Sequence, residues 1–365
     1  MKVRDDVLIS SDDMGTSGTK IYDLDYSDVL SGITLTFDAT NGASGNVSNP
    51  IERNVSKVEI VDGADVLWSL PGDVLYALYS QMHGNPGIDY YTGAISDSPF
   101  VDLYIRFGRY LYDPDLAFAP RNFKNPQLKV TFDEATVRAA GATGFVSDSF
   151  ALTILSHLME DAPAPSGWLM AKDLYDFTTV ASGDEKIAMP TDYPWRQLMI
   201  RNYEAGVWHG TDISNYKLSC DGGKFIPFDL SSAVVTSRMA NVYPPTYKNG
   251  YMYAANGDTI ETWIGHDTGQ SIMSHVAGII ATASSFNSAR FTLGLMTHEG
   301  VATTNAVHFR APGYCPHNTV FIPFGRLNEK AEWFNAPQYN AVHLYLTQGG
   351  AGAECNVCVE QVRTY

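Results

Sequence analysis

The sequence predicts an all-β protein built as two tandem domains of related topology, and three observations carry that expectation. Short apolar/polar alternations recur along the whole 365-residue chain, a length that suits two domains better than one. Helix-period stretches are few and short. Three blocks of the first half return in the same order in the second, and colinear self-similarity decides architecture before any local reading does.

Taken in order, Ile33, Leu35 and Phe37 alternate with Thr34, Thr36 and Asp38, which predicts a strand with one face on a core and one in water. Leu128, Val130 and Phe132 against Lys129, Thr131 and Asp133 read likewise, as do Val342, Leu344 and Leu346 against His343, Tyr345 and Thr347. Asp62-Gly63 and Asp221-Gly222 each lie between strand-like runs and predict hairpins. After Leu70-Pro71-Gly72, Asp73 is a candidate N-cap for an amphipathic helix of about three turns that carries Val74, Leu75, Leu78, Tyr79 and Met82 and stops at Gly84. Ser232 caps a weaker counterpart in which Val235, Met239 and Val242 face inward.

The first repeated block sets Gly32 to Gly42 against Arg196 to Gly206, an offset of 164. The second sets Val55 to Ile60 against Ile213 to Leu218 at 158, moving to 159 through the two Asp-Gly turns and the caps Asp73 and Ser232. The third sets Leu103 to Arg109 against Val320 to Arg326 at 217, which lays Phe107-Gly108-Arg109 on Phe324-Gly325-Arg326. Pro126-Gln127 matches Pro337-Gln338 at 211, each just ahead of an alternating strand. The jump from 159 to 217 requires 58 extra residues in the second half, between Ser232 and Val320. A long loop insertion within about 240–318 is expected to project from one end of that domain.

The Pro-rich, small-residue stretch Asp161 to Gly167 marks the boundary. It divides the chain into an N-terminal domain, 1–162, a linker, 163–167, and a C-terminal domain, 168–365. Doubly layered Greek-key sandwiches of about eight strands each hold that many short strands without long open edges.

Charge and composition exclude several classes. The 24 Lys+Arg against 40 Asp+Glu leave a net charge of -16, so no nucleic-acid footprint is expected. Charged residues are 18% and hydrophobics 45%, a balance that suits a folded, self-associating protein and not a disordered one. No run approaches the roughly 20 apolar residues of a membrane-spanning helix. No apolar stretch follows Lys2 and Arg4, so a secretory signal is not expected and synthesis in a cytoplasm is. Four cysteines are too few for a disulfide scaffold, and the sequons at Asn46 and Asn54 carry little weight in a reducing compartment.

Catalytic signatures fail on spacing or geometry. Gly15 to Lys20 lacks the phosphate-loop spacing, and Ser11-Asp-Asp-Met-Gly15 matches the aspartate box of sialidases only in part, with Gly18 where an aromatic belongs. His266-Asp267 and His298-Glu299 put acids beside histidines, but neighbours on a strand face opposite ways. Cys355-Asn-Val-Cys358 has metal-like spacing, yet on a strand its thiols diverge and no second pair completes a tetrahedral site. No catalytic, cofactor or metal residues are therefore assigned, and no cofactor is expected.

The tandem repeat, the helix from Asp73 to His83, the Phe-Gly-Arg blocks, the Pro-Gln strand starts and the run Tyr193 to Ile200, Ile213 to Leu218 and Gly223 to Asp229 resemble the double jelly-roll major capsid proteins of tailless icosahedral bacteriophages with an internal membrane. The resemblance implies two eight-stranded jelly rolls per chain, strands roughly normal to a capsid surface, and homotrimers forming pseudo-hexagonal capsomers of an icosahedral shell. It further implies a virion location and neighbouring capsomers, penton and minor capsid proteins and an internal lipid membrane as partners. Low charge and many aromatics (21 Tyr, 17 Phe, 6 Trp) fit broad lateral interfaces. The competing reading is a carbohydrate-binding or carbohydrate-processing jelly-roll protein, because aromatic-rich loops suit sugar stacking.

Overall fold

The computed structural model describes all residues except 43–45, 47–48, 136–143, 205, 255–258, 268–271, 275–278, 288–289 and 298–304. Its first part contains β1 (Lys2–Asp13), β2 (Ser17–Asp23), β3 (Val29–Asp38), β4 (Val55–Asp62), β5 (Asp65–Leu70), helix α1 (Gly72–His83), β6 (Asp89–Tyr90), β7 (Phe100–Arg106), β8 (Pro126–Asp133) and β9 (Ala151–Glu160). After a connection at residues 161–166 come β10 (Gly167–Thr178), β11 (Gly183–Met189), β12 (Trp195–Tyr203), α2 (His209–Asp212), β13 (Ile213–Cys220), β14 (Phe225–Ser231) and α3 (Ser232–Val242). Seven strands follow: β15 (Thr246–Ala254), β16 (Thr259–Glu261), β17 (Ile264–Asp267), β18 (Ile272–Ser274), β19 (Ile279–Asn287), β20 (Arg290–Thr297) and β21 (Asn305–Pro316). The chain ends in β22 (Thr319–Pro323), β23 (Val342–Gln348) and β24 (Glu354–Thr364).

Strand order makes the duplication explicit. The first roll pairs β1-β9-β3-β7, with β6 added at the edge, against β2-β8-β4-β5, and the second pairs β10-β24-β12-β22 against β11-β23-β13-β14. Each strand of one roll has a counterpart at the same place in the other, in the jelly-roll order. β5 and β10 meet in parallel through Ser69 and Lys172, so one sheet from each roll fuses into a single sheet of eight strands.

The alternating patterns act as expected in β8 and β23, where inward residues are buried and their neighbours half-exposed. In β3 they do not. Thr34 is buried as well, because its Oγ1 meets His157 Nε2 at 2.9 Å, while Thr36 donates to Asp102. A central strand flanked by β9 and β7 has polar cross-strand neighbours on its outer face that screen it from water.

The helix starts also differ from the capping pattern. α1 begins at Gly72 with Pro71 in the N-cap position, because a Cβ at Gly72 would come within 2.4 Å of the Glu52 carbonyl and 2.7 Å of that of Val55. Asp73 sits in the first turn and ion-pairs with Arg201 at 2.8 Å. Gly84 ends the helix in the left-handed region, φ 67°. In α3 the cap position is Ser231, while Ser232 donates its hydroxyl to the carbonyl of Ile213, the counterpart of Val55. Val235 and Met239 are buried but Val242 is exposed.

The segment read as a long loop is instead two further sheets, β15-β21-β17 with β18 on β21, and β16-β20-β19. β15 pairs with β21 over nine successive residues, so extra chain at this position satisfies its own backbone polar groups by pairing with itself.

Candidate functional site

The two rolls meet across backbone hydrogen bonds and buried ion pairs. The backbone joint comes first. Beyond the Ser69–Lys172 bridge, Leu169 donates its N–H to the Phe107 carbonyl at 2.7 Å, Ala117 to that of Gly167 at 2.9 Å, and Trp168 Nε1 to that of Leu67 at 3.1 Å. Burial of Trp168, Leu169, Met170 and Ala171 seals the start of β10 against the first roll, and one hydrophobic cluster runs through both sandwiches.

A second layer is ionic. Lys248 on β15 is buried with its ammonium 2.5 Å from Asp89 and 3.5 Å from Glu52, under the rings of Tyr76, Tyr91 and Trp263 at 4.7, 5.2 and 5.6 Å. His317, between β21 and β22, places Nε2 3.1 Å from Glu52 Oε1. Burial pushes the imidazole toward its neutral form, so Nε2–H donates to the carboxylate. Burial alone would raise the Glu52 carboxyl, but Lys248 and His317 hold it down at about 2. A desolvated cation is tolerated here because two carboxylates and three ring faces replace its water.

Two arginines of the fully buried strand β12 hold further ion pairs, Arg196 within the second roll and Arg201 across to the first. Arg196 pairs with Glu360 at 3.0 Å and donates Nε to the Leu327 carbonyl. Arg201 reaches Asp73 at 2.8 Å and Glu354 at 3.2 Å, and Arg53 joins Glu354 at 3.2 Å. These last groups line a cleft of about 450 Å³ between the rolls, together with Asp173 and Asp176. Burial, then Asp176, pushes the Asp173 carboxyl up to about 7.

The structure places the repeated motifs as follows. Phe107 donates its N–H to the Ser31 carbonyl and Phe324 to that of Arg196, each just past the strand that pairs with β3 or β12. Gly108 packs against Leu116, whose carbonyl would lie 2.4 Å from an added Cβ, and Gly325 has φ +73°. Arg109 folds onto Asp113, whose carboxylate accepts both its N–H at 3.2 Å and its Nε at 2.7 Å. Arg326 does the same with Glu332, at 3.0 and 2.9 Å. Arg326 braces its own loop, whereas Arg109 also reaches the Asn328 carbonyl of the second roll at 3.4 Å and lines a small cavity with Arg196 and Glu360. The Pro-Gln match requires correction. Pro126 opens β8 and Gln127 bonds Asp23, whereas Pro337 and Gln338 lie in a 3₁₀ turn ahead of β23.

The aspartates of the two Asp-Gly turns show the true register. Asp62 accepts from the N–H groups of Lys124 and Asn125, and Asp221 from those of Asn340 and Ala341, so the last strands match at an offset of 216 and Pro126 answers to Val342. The first block likewise slips by one. Gly32 stands opposite Arg106 and Gln197 opposite Pro323, which sets Gly32 against Gln197.

No group of three or more metal-ligating side chains converges among the described residues. All four cysteines are free and buried, and burial holds the Cys355 thiol up at about 12, in its unreactive form. Asn46 and Asn54 are buried. Arg4 is committed to Glu160 at 2.8 Å and to Asp6 and Asp28 at 3.4 Å. His266 is exposed on β17, and His298-Glu299 lies outside the described residues. Sequence reasoning missed Glu52, Lys248, His317, Arg196 and Glu360. Only Arg196 and Arg201 left a signal, as charges flanking the apolar run Leu198 to Ile200.

No protein-family model matches the sequence, and no curated protein is detectably similar to it. Solved structures are. The major capsid protein P2 of bacteriophage PM2 superposes with a TM-score of 0.55 at 12% identity, covering 100% of this chain and 98% of its own. PBCV-1 VP54, fitted into a reconstruction of the virophage Sputnik, gives 0.61 at 9%, covering 99% and 93%. A chain of Sulfolobus Turreted Icosahedral Virus gives 0.61 at 10%, covering 99% and 91%. With the duplicated strand order above, the chain has the double jelly-roll fold of these viral capsid proteins.

Proposed function

We propose that this chain is a viral major capsid subunit whose product is an assembly and not a reaction. Homotrimers would present six rolls as a pseudo-hexagonal capsomer of an icosahedral shell, with strands roughly normal to its surface. The carrying observation is likeness over the whole chain, 99–100% of it, to capsid proteins that are themselves covered over 91–98%. Shared length matters as much as shared fold, since single jelly rolls host many unrelated functions. The buried ionic joint fits the same role, because it fixes one roll against the other as a rigid building block.

Within this reading, residues 1–162 and 168–365 are the two units, and the sheets of β15 to β21 decorate one end of the second roll. The match to a bacteriophage protein is in keeping with a bacterial host, and synthesis in its cytoplasm, with neighbouring capsomers, penton and minor capsid proteins and an internal lipid membrane as partners, belongs to the same proposal. The chain has no assigned enzymatic role. Light scattering on purified protein tests the reading: a particle of three times 40.0 kDa is expected. A stable monomer that binds a glycan array would overturn it in favour of the carbohydrate reading.

A further inference from the structure

The chain carries a net charge of -16, yet a cavity of about 130 Å³ where the rolls meet gathers positive charge. Arg106 of β7, Arg109 of the loop after it and Arg196 of β12 line it together with His83 at the end of α1, and Glu360 is the one carboxylate among the described lining residues. The first two arginines belong to the first roll and the third to the second.

Hydrogen bonding separates the committed cations from the free ones. Arg109 is committed, with Nε and Nη2 on Asp113 at 2.7 and 2.9 Å. Arg196 is only partly so. Its Nη1 donates to both oxygens of Glu360 at 3.2 and 3.0 Å, and its Nε to the Leu327 carbonyl at 2.9 Å. Glu360 also accepts from Gln197 at 2.8 Å. The Arg196 Nη2 has no acceptor among the described residues, although Arg196 is only 3% exposed. A buried guanidinium N–H left without an acceptor is costly and points to a group that the chain itself does not supply.

Arg106 is free. Its guanidinium makes no ion pair or hydrogen bond among the described residues and lies 5.7 and 5.5 Å from the ring centres of Tyr79 and Tyr104. Those rings stack on each other at 4.0 Å, and Tyr79 stacks on His83 at 4.2 Å, so an aromatic column fixes where the guanidinium stands. The same field reaches His83. Burial holds its imidazole below the ordinary range, and Arg106 and Arg196 push the same way against a bond to the Tyr79 carbonyl. Two cations from different rolls thus act on one side chain.

We propose that this cavity binds one oxyanion of the phosphate class, gripped between Arg106 of the first roll and the unpaired Nη2 of Arg196 of the second. Guanidinium groups suit such an ion because their planar N–H forks match adjacent oxygens. A cavity of about 150 Å³ accepts benzene, so this one has room for a phosphate group. Because its two donors come from different rolls, the bound ion ties the rolls together, and its binding is linked to stability. The inference goes beyond the capsid reading and stands or falls without it.

In the test, the full chain in chloride buffer is titrated with sodium phosphate at constant ionic strength, followed by calorimetry and by thermal melting. Saturable heat and a Tm that climbs with phosphate are expected. Arg106→Gln should weaken the affinity at least about tenfold, while its circular dichroism in chloride stays that of the parent. Arg106→Lys keeps the charge but loses the planar fork, and should fall between the two. Arg121→Gln, at an exposed arginine outside the cavity, should bind as the parent does. Glycerol phosphate run alongside distinguishes the sources: tighter inorganic phosphate assigns the site to the free ion, tighter ester to the phosphoryl end of a larger molecule, and either supports the proposal. A parent chain without saturable binding overturns it, whatever the variants do, and leaves water in the cavity. Equal affinity in the parent and Arg106→Gln overturns it too, by moving the ion elsewhere. Neither result bears on the trimer.

Discussion

In the first roll the stretch from α1 to β7 is residues 84–99 and holds one two-residue strand, β6; in the second the same stretch, from α3 to β22, is residues 243–318 and holds seven strands among its described residues. These are equivalent positions in a duplicated fold, and they pack on each other. Tyr251 of β15 exchanges backbone hydrogen bonds with Tyr91 and Gly93, and Lys248 of the same strand reaches Asp89. The long version is thus anchored on the short one. Extra chain at the end of a roll serves here as a clasp between rolls.

The strongest way to break the clasp is Lys248→Met, which strands Glu52 and Asp89 without their cation. A loss of about 3–5 kcal/mol is expected from denaturant unfolding, and a loss below about 1 kcal/mol would mean that the apolar contacts alone hold the inserted sheets. The same cluster gives a pH signature. The Glu52 carboxyl is held at about 2 against an ordinary 4.5, so its contribution is complete above 4.5 and fades as pH falls toward 2.

The cleft on the other side of the joint has the opposite sign. With the Asp173 carboxyl raised to about 7 from 3.8, the folded state keeps a proton that the unfolded chain has released, and the cost grows as pH rises between those values. Asp173→Asn should therefore stabilise the protein at pH 8, by on the order of 2 kcal/mol, and have little effect at pH 4. Equal effects at both values would remove the carboxyl's charge from the account.

A smaller effect sharpens the comparison of the rolls themselves. Asp62→Ala and Asp221→Ala each release two backbone N–H groups at matched turns, and each should cost about 1–2 kcal/mol. Clearly unequal costs would show that the two turns match in geometry but not in energetic weight.

The repeat was legible because turn chemistry is local: Asp62-Gly63 and Asp221-Gly222 announce themselves within two residues and mark the same place in both rolls. Pro126 and Pro337 misled because Pro-Gln before a strand is a pattern of composition, and only one of the two prolines lies in its strand. The one-residue slip at Gly32 falls beside matched bulges, between Leu30 and Gly32 in β3 and between Trp195 and Gln197 in β12, which exist only in the strand pairing and leave no mark in the alternating sequence. The clasp left no trace in sequence, since Glu52, Lys248 and His317 are far apart in the chain and come together only through the packing of two rolls. The inserted strands look like loop in sequence because their glycine and aromatic content masks the alternation, and the pairing of β15 on β21 is set by residues far apart in the chain.

The central claim is that the chain's six-roll product is its function, and negative-stain electron microscopy of the purified protein tests it most directly. Particles with a near-sixfold outline built from three 40.0 kDa chains are the result predicted. Fields of compact, separate two-lobed monomers at micromolar concentration would contradict it.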